Sequence, residues 1–288
     1  MNLTPRCACG IDVHAHVVPE RFPAYMGKTV PAPWPETAPA PDAKGLCHRH
    51  VLVGGKHYRT VSEQSVPLQD IDAAVAELRH AAEQLGLVGV EVGSNINGRP
   101  IGDALFDPFF AACVALDLPV FVHALKPAGM DRLVGPAPLQ QVLAFPTDVG
   151  LAAASVITGG LLQRHPALRM AFSHGGGTLA MLLPRLQQGW QVFPALAESI
   201  GESPREQARR LYFDTLVFDA PTLRHLAHSF GTSQLLIGTD HPFNFSERQP
   251  LERLGAAGFD AAACDAMASG NACRFLGPRA AALFKESA

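Results

Sequence analysis

From about residue 66 onward, short runs of β-branched and aromatic residues alternate with longer Ala/Leu-rich stretches of helical period. No other feature constrains the fold as much, because strands joined through intervening helices pair in parallel. The chain is therefore predicted to be α/β with a parallel sheet. Strand candidates are residues 88–92, 119–123, 168–173, 211–214 and 234–238, with 10–14 near the N-terminus. Residues 70–85 carry Ile71, Val75, Leu78, Ala82 and Leu85 at spacings of three or four, as one face of a helix requires. A second helix is predicted over 220–230. Residues 17–57 break the pattern: seven prolines, from Pro19 to Pro41, fall among few periodic apolar positions. This excursion leaves the end of the first strand and is expected to arch over the carboxyl edge of the sheet, where long loops shape pockets. No linker follows residue 66, so residues 1–288 are read as one domain.

Composition excludes several function classes. With 48% hydrophobic and 17% charged residues in 288, the chain can bury a large core and is not disordered. Subtracting 26 acidic from 23 basic residues leaves a net charge of −3, without a basic run, so no nucleic-acid groove is expected. Uninterrupted apolar runs fall well short of the roughly 20 residues of a membrane span. The first residues lack the apolar stretch of a secretory signal, and the six cysteines suggest no disulfide framework, so a cytoplasmic location is expected.

Chemistry gathers where predicted strands end. His14 and His16 alternate on the first strand and so share a face, with Asp12 below them. His123 ends the strand at 119–123, His174 ends that at 168–173, and Asp240 follows that at 234–238. In a closed parallel barrel these carboxyl ends meet on one rim, where the catalytic groups of such barrels lie. Four imidazoles and a carboxylate would then face one another. Such an N/O donor set suits Zn²⁺ first, with Mn²⁺, Fe²⁺ and Co²⁺ as alternatives. Cys47, His48, His50 and His57 also have ligand-like composition, but they lie in the Pro-rich excursion without strand context and receive no assignment.

The segments Ile11-Asp12-Val13-His14-Ala15-His16, Phe121-Val122-His123, Ser173-His174-Gly175-Gly176-Gly177, Gly238-Thr239-Asp240-His241-Pro242-Phe243 and Gly270-Asn271-Ala272-Cys273-Arg274-Phe275 occur in this order. Together they resemble the amidohydrolase superfamily, in particular the branch containing aminocarboxymuconate semialdehyde decarboxylase and γ-resorcylate decarboxylase. That resemblance implies a TIM (β/α)8-type barrel with His14, His16, His123 and Asp240 as ligands of a divalent metal. It also implies His174 as the acid–base group beside the metal, Asp240 as a second proton carrier, and Arg59 as the grip on a substrate carboxylate. The implied activity is non-oxidative decarboxylation of a small unsaturated or aromatic carboxylic acid, in a chain that can pair as a homodimer. Hydrolysis of a lactone or amide is the first alternative, and a catalytically inactive relative the second.

Three departures from the family pattern stand out. Tyr58-Arg59-Thr60-Val61 is followed almost at once by Val66-Pro67-Leu68-Gln69, so a βα unit on the order of 30 residues near the second strand is missing. The barrel is therefore expected to be distorted or incomplete, with 50–53 as a candidate substitute strand. Ala124-Leu125 stands where the family has an aromatic residue after the rim histidine. Phe193 stands where an arginine reaches across the family's dimer. The last two argue against aminocarboxymuconate itself as substrate.

Overall fold

The computed structural model describes residues 10–15, 68–241, 243 and 245–280, together with the backbone of strands 35–39, 49–53 and 56–60. Five strands form one parallel sheet in the order Leu235–Leu236, Tyr212–Asp214, Met170–Phe172, Val120–His123, Val90–Gly93. The α/β expectation holds, and each strand lies within the segment predicted for it or one residue beyond. Residues 10–15 continue the sheet past Leu235–Leu236: Val13 N donates to Ile237 O at 2.9 Å, Asp240 N donates to His14 O at 2.8 Å, and Ala15 bridges His241 in parallel. Among the described residues, no ladder joins Val90–Gly93 to the segment 10–15 across the remaining gap.

Strand alternation gives the sheet two apolar faces. Val120, Val122, Met170, Phe172, Phe213 and Leu235 point to the main core, beneath helices Asp107–Ala115, Phe145–Thr158, Leu179–Val192 and Ala220–Phe230. Phe121, Ala171 and Leu236 point to the opposite face, with Tyr212 half-buried beside them, and the C-terminal helix Asn271–Leu276 covers this smaller cluster through Ala272 and Phe275. Fully burying a Phe or Leu side chain stabilises by about 1.5–3 kcal/mol, so these two layers hold the sheet in register. Two residues past Phe121 and Tyr212, His123 and Asp214 share the second face at the carboxyl edge.

The helix at 70–85 forms as Ile71–Glu83, capped where Asp70 accepts from Ala73 N at 3.1 Å. Its buried residues are Ala74, Leu78 and Ala82, whereas Leu85 lies beyond the last turn and is exposed. Helix Ala220–Phe230 has the predicted bounds, with Asp219 as its cap.

One expectation requires correction. Residues 50–53 do form a strand, Arg49–Val53, but it pairs antiparallel with Pro35–Pro39 and Lys56–Thr60 in a separate three-stranded sheet. It is therefore no substitute member of the parallel sheet. The stretch Gln140–Thr158, 19 residues with mean hydropathy 1.3, is long and apolar enough for a span by length and composition, although its apolar runs are interrupted as expected. Val149, Ala152, Ala153, Val156 and Ile157 of this stretch pack into the core, so it is an internal helix of the fold.

Candidate metal centre

Three histidines and one aspartate converge at the carboxyl edge. Each of His14, His123, His174 and Asp240 offers one ligand atom, and these atoms lie within 4.8 Å of one another. The imidazole centroids are 5.0 Å (His14–His123), 5.2 Å (His123–His174) and 5.4 Å (His14–His174) apart. His14 and His123 are buried, while His174 and Asp240 retain some exposure toward the surface. Placing His14 here requires the segment 10–15 to lie against residues 237–241, which the Asp12 carboxylate secures by accepting from His14 N at 3.0 Å and Thr239 N at 3.2 Å.

The backbone is strained where it delivers two of the four. His174 has φ 54° and Asp240 φ 61°, in the left-handed region that non-glycine residues seldom occupy. His174 is followed by Gly175-Gly176-Gly177, all with positive φ. A Cβ at Gly177 would lie 1.8 Å from Pro146 O, and one at Gly176 2.5 Å from the Phe213 ring. These glycines allow the turn to pass between the sheet and helix Phe145–Thr158. Gly238 acts similarly on the strand side: a Cβ there would lie 2.6 Å from Asp214 Cβ and 2.8 Å from His14 Cβ.

Asp214, which sequence reasoning passed over, is the electrostatic hub. It has no solvent exposure, and its Oδ2 accepts from His14 Nδ1 at 2.6 Å and His174 N at 3.0 Å. Its Oδ1 accepts from Gly175 N at 2.7 Å and Leu216 N at 3.1 Å. A carboxylate on Nδ1 keeps the proton there and turns the Nε2 lone pair of neutral His14 toward the cluster, 3.3 Å from Asp240 Oδ1. His123 is set likewise, because its Nδ1 lies 3.0 Å from Ala124 O, which can only accept. Without a metal, burial disfavours a charged His14, but hydrogen bonds and negative charge from Asp214 and Asp240 outweigh it and push the pKa up to about 10. A metal must displace that proton.

The donor set fits a divalent transition metal. To hold one ion, the ligand atoms, now within 4.8 Å of one another, would draw closer together. The ligand atom of His174 lies within the same 4.8 Å span as those of His14 and His123. His16 lies outside the described residues. Arg59 falls in the strand Lys56–Thr60, and its side chain likewise lies outside what the structure describes.

A cavity of about 200 Å³ opens over the cluster, lined by His123, His174 and Asp240, by Phe145, Leu216, Phe218, Phe243 and Phe245, and by Gln140 and Gln141. Phe145 stands edge-on to His123 at 5.8 Å, and Phe218 and Phe245 pair at 4.7 Å. Behind His123, the buried Asp148 accepts from Asn95 Nδ2 at 3.1 Å, Ala128 N at 2.9 Å and the Ser94 hydroxyl, which fixes the loop leaving the strand.

Comparisons with known proteins identify the family of the chain. Residues 11–277 match the family profile described as Amidohydrolase. The chain is 31% identical over 248 residues to 2-amino-3-carboxymuconate-6-semialdehyde decarboxylase of Dictyostelium discoideum, covering 85% of this chain and 69% of that protein. It is 28% identical over 203 residues to γ-resorcylate decarboxylase of Rhodococcus jostii, covering 62% and 59%. The chain thus spans about six tenths to seven tenths of the length of these relatives. Among solved structures, 5-carboxyvanillate decarboxylase from Sphingomonas paucimobilis superposes with a TM-score of 0.63 at 25% identity, over 72% of this chain and 64% of that one. A dihydroxybenzoic acid decarboxylase from Polaromonas, solved with manganese and 2-nitroresorcinol, gives a TM-score of 0.61 at 22% identity, over 74% and 67%.

Proposed function

The chain belongs to the amidohydrolase family, and within it we propose that the protein is a metal-dependent, non-oxidative decarboxylase of a small aromatic or unsaturated carboxylic acid. The observation that carries this reading is the His14, His123, His174 and Asp240 cluster opening into a phenylalanine-walled cavity. Relatives named as decarboxylases support it. His14, His123 and Asp240, joined by His16, would hold a divalent metal. Zinc is the first expectation from the donor types, and the manganese of the Polaromonas neighbour supports that metal as the alternative. When bound, the metal supplies a positive centre that orients the carboxylate or an adjacent hydroxyl and stabilises negative charge.

The remaining chemistry falls to side chains. Loss of carbon dioxide breaks a carbon–carbon bond and leaves the electron pair on the substrate carbon, which must then take a proton. His174 and Asp240 both line the cavity, so either can deliver or relay that proton. Phe145, Phe218, Phe243 and Phe245 surround an apolar ring and limit water, which would otherwise solvate the carboxylate and favour its ground state. Arg59 is assigned to the substrate carboxylate by resemblance. The parallel sheet is read as an incomplete (β/α)8 barrel, since the described strands between residues 15 and 90 pair only with one another. A cytoplasmic location belongs to the same reading, supported by the free thiols of Cys113, Cys264 and Cys273.

Carbon dioxide release from a panel of hydroxybenzoates and muconate-type acids by the metal-loaded protein tests the activity. A new acid with an alcohol or amine, from lactones or amides, would make it a hydrolase. Metal bound without turnover in either panel would make it an inactive relative, the reading that the short junction from Val61 to Val66 favours.

A further inference from the structure

Two phenylalanines on the cavity wall come from different loops, and one ion pair reaches both loops. Phe218 lies between strand Tyr212–Asp214 and helix Ala220–Phe230, and Phe245 lies between Asp240 and the short helix Pro250–Ala256. Their rings stand 4.7 Å apart, tilted by 32°, yet they are 37% and 44% exposed. Burial alone does not hold so open a pair, so the two backbones must be held instead. Arg253 on helix Pro250–Ala256 does this. Its Nε donates to Glu247 Oε2, two residues past Phe245, and its Nη1 donates to Phe218 O at 2.9 Å. The neighbouring Leu254 is fully buried and seats the helix. Glu247 is itself buried, accepts from Gln249 N at 3.0 Å, and through its own N donates to Thr239 O at 2.9 Å, next to Asp240 of the cluster. Phe218 needs a grip on its backbone, because its φ of 57° lies in the left-handed region that bulky residues seldom occupy. A guanidinium can serve a carboxylate and a carbonyl together, since its donors lie in one rigid plane.

We propose that Arg253 is a positioning residue: by holding Glu247 and the Phe218 carbonyl it sets the Phe218–Phe245 pair, and through that pair the grip on an aromatic ring in the cavity. Arg253 is not among the residues that line the cavity, so it acts through the phenylalanines. The proposal rests on the decarboxylase reading for the presence of a ring in the site. Without the bond from Arg253, Phe218 relaxes toward an ordinary φ and its ring leaves Phe245. A ligand that stacks on the pair then loses affinity, whereas one that touches only the metal does not.

Binding tests this separately from turnover. The manganese-loaded protein is titrated calorimetrically with benzohydroxamate and acetohydroxamate, which chelate a metal in the same way and differ in the ring. Wild-type protein is compared with Arg253→Leu, Arg253→Lys, Phe218→Leu and the Arg253→Leu/Phe218→Leu double variant, with circular dichroism confirming the fold. Wild-type protein should prefer benzohydroxamate. Arg253→Leu and Phe218→Leu should each weaken that ligand by roughly 2- to 10-fold, the range of one aromatic contact, and leave acetohydroxamate unchanged. Arg253→Lys, which keeps the charge but not the fork, should fall between Arg253→Leu and wild type. The double variant should lose no more than either single one, as residues acting through one contact do. Where Arg253→Leu unfolds because Glu247 is left buried and unpaired, Arg253→Leu combined with Glu247→Gln leaves no such charge and takes its place. Equal losses for both hydroxamates, additive losses in the double variant, unchanged affinities, or no preference for the ring in wild-type protein would overturn the proposal. With any acid that is decarboxylated, Arg253→Leu should raise KM and leave kcat, because the ring contact is made equally before and during reaction. Carbon dioxide release with a ring preference that ignores Arg253 sinks this inference alone. A ring preference that follows Arg253, with no acid decarboxylated, sustains it while the decarboxylase reading fails.

Discussion

Replacing Asp214 by Asn changes almost no volume but reverses one hydrogen-bonding end, which makes it a sharp probe of how the cluster is held. Four donors converge on the carboxylate: His14 Nδ1 and His174 N on Oδ2, Gly175 N and Leu216 N on Oδ1. An Asn that keeps its oxygen toward Gly175 and Leu216 must present its NH₂ to the other two. The His174 amide then faces a donor and is left unsatisfied in a buried place, which costs about 1–3 kcal/mol. His14 can restore its own bond only by moving its proton to Nε2, where the proton blocks the lone pair aimed at the cluster. Loss of such an orienting partner typically weakens metal affinity by about 10- to 100-fold. Chelator competition with the purified variant should show that loss, and thermal melting of metal-free protein should fall by roughly 2–4 °C for each kcal/mol. In metal-free wild-type protein His14 titrates at about 10, where Asp214 and Asp240 overcome the burial that opposes its charge. By NMR that titration should move down in the variant. Wild-type metal affinity alongside a lowered melting temperature would show that Asp214 serves stability alone and refute the orienting role.

Three other outcomes are expected. Gly238→Ala should destabilise by about 1–3 kcal/mol and weaken metal retention, because its Cβ would meet His14 Cβ and Asp214 Cβ; an unchanged melting curve would show that the strand shifts freely. His174→Asn should keep most of its metal while turnover falls roughly 10²- to 10⁴-fold, whereas His123→Asn should lose metal; equal metal loss, read by elemental analysis, would make His174 a ligand. Glu247 is buried, which raises its pKa, but the Arg253 ion pair and the Gln249 amide more than reverse this and leave it lowered. Its contribution to stability is therefore present above its ordinary pKa and lost as pH falls through the lowered one, so wild-type protein should lose more stability on acidification than Glu247→Gln in parallel urea titrations.

Much of this was legible in sequence because strand ends carry position. His123, His174 and Asp240 follow apolar runs of strand length, so their shared edge can be read directly, and Ile71–Glu83 and Ala220–Phe230 announce themselves by period and by an Asp cap. Asp214 ends its run in the same way but escaped notice, since a lone Asp after a strand looks the same whether it caps a turn or anchors a histidine 200 residues away. The strand at Arg49–Val53 shows a second limit: β-propensity signals extended backbone without saying which sheet supplies the partner. Nor does the sequence mark the π-helical turn at Gln140–Ala144, whose residues suit an ordinary helix equally well.

The pairing of residues 10–15 with 237–241 also sets an order of events during synthesis. Asp12 and Thr239, which hydrogen-bond to each other, are 227 residues apart in the chain. At about 5–20 residues per second, a ribosome needs roughly 10–45 s to travel that distance. Throughout that interval the first segment has been made while its neighbour in the sheet has not, and His14 waits without Asp214 or Asp240. Helices and strands from Val90 to Phe230 can pack as they emerge, but the cluster can assemble only after Asp240 has been added. Metal binding by the whole cluster is accordingly closed to any nascent fragment that stops short of Asp240.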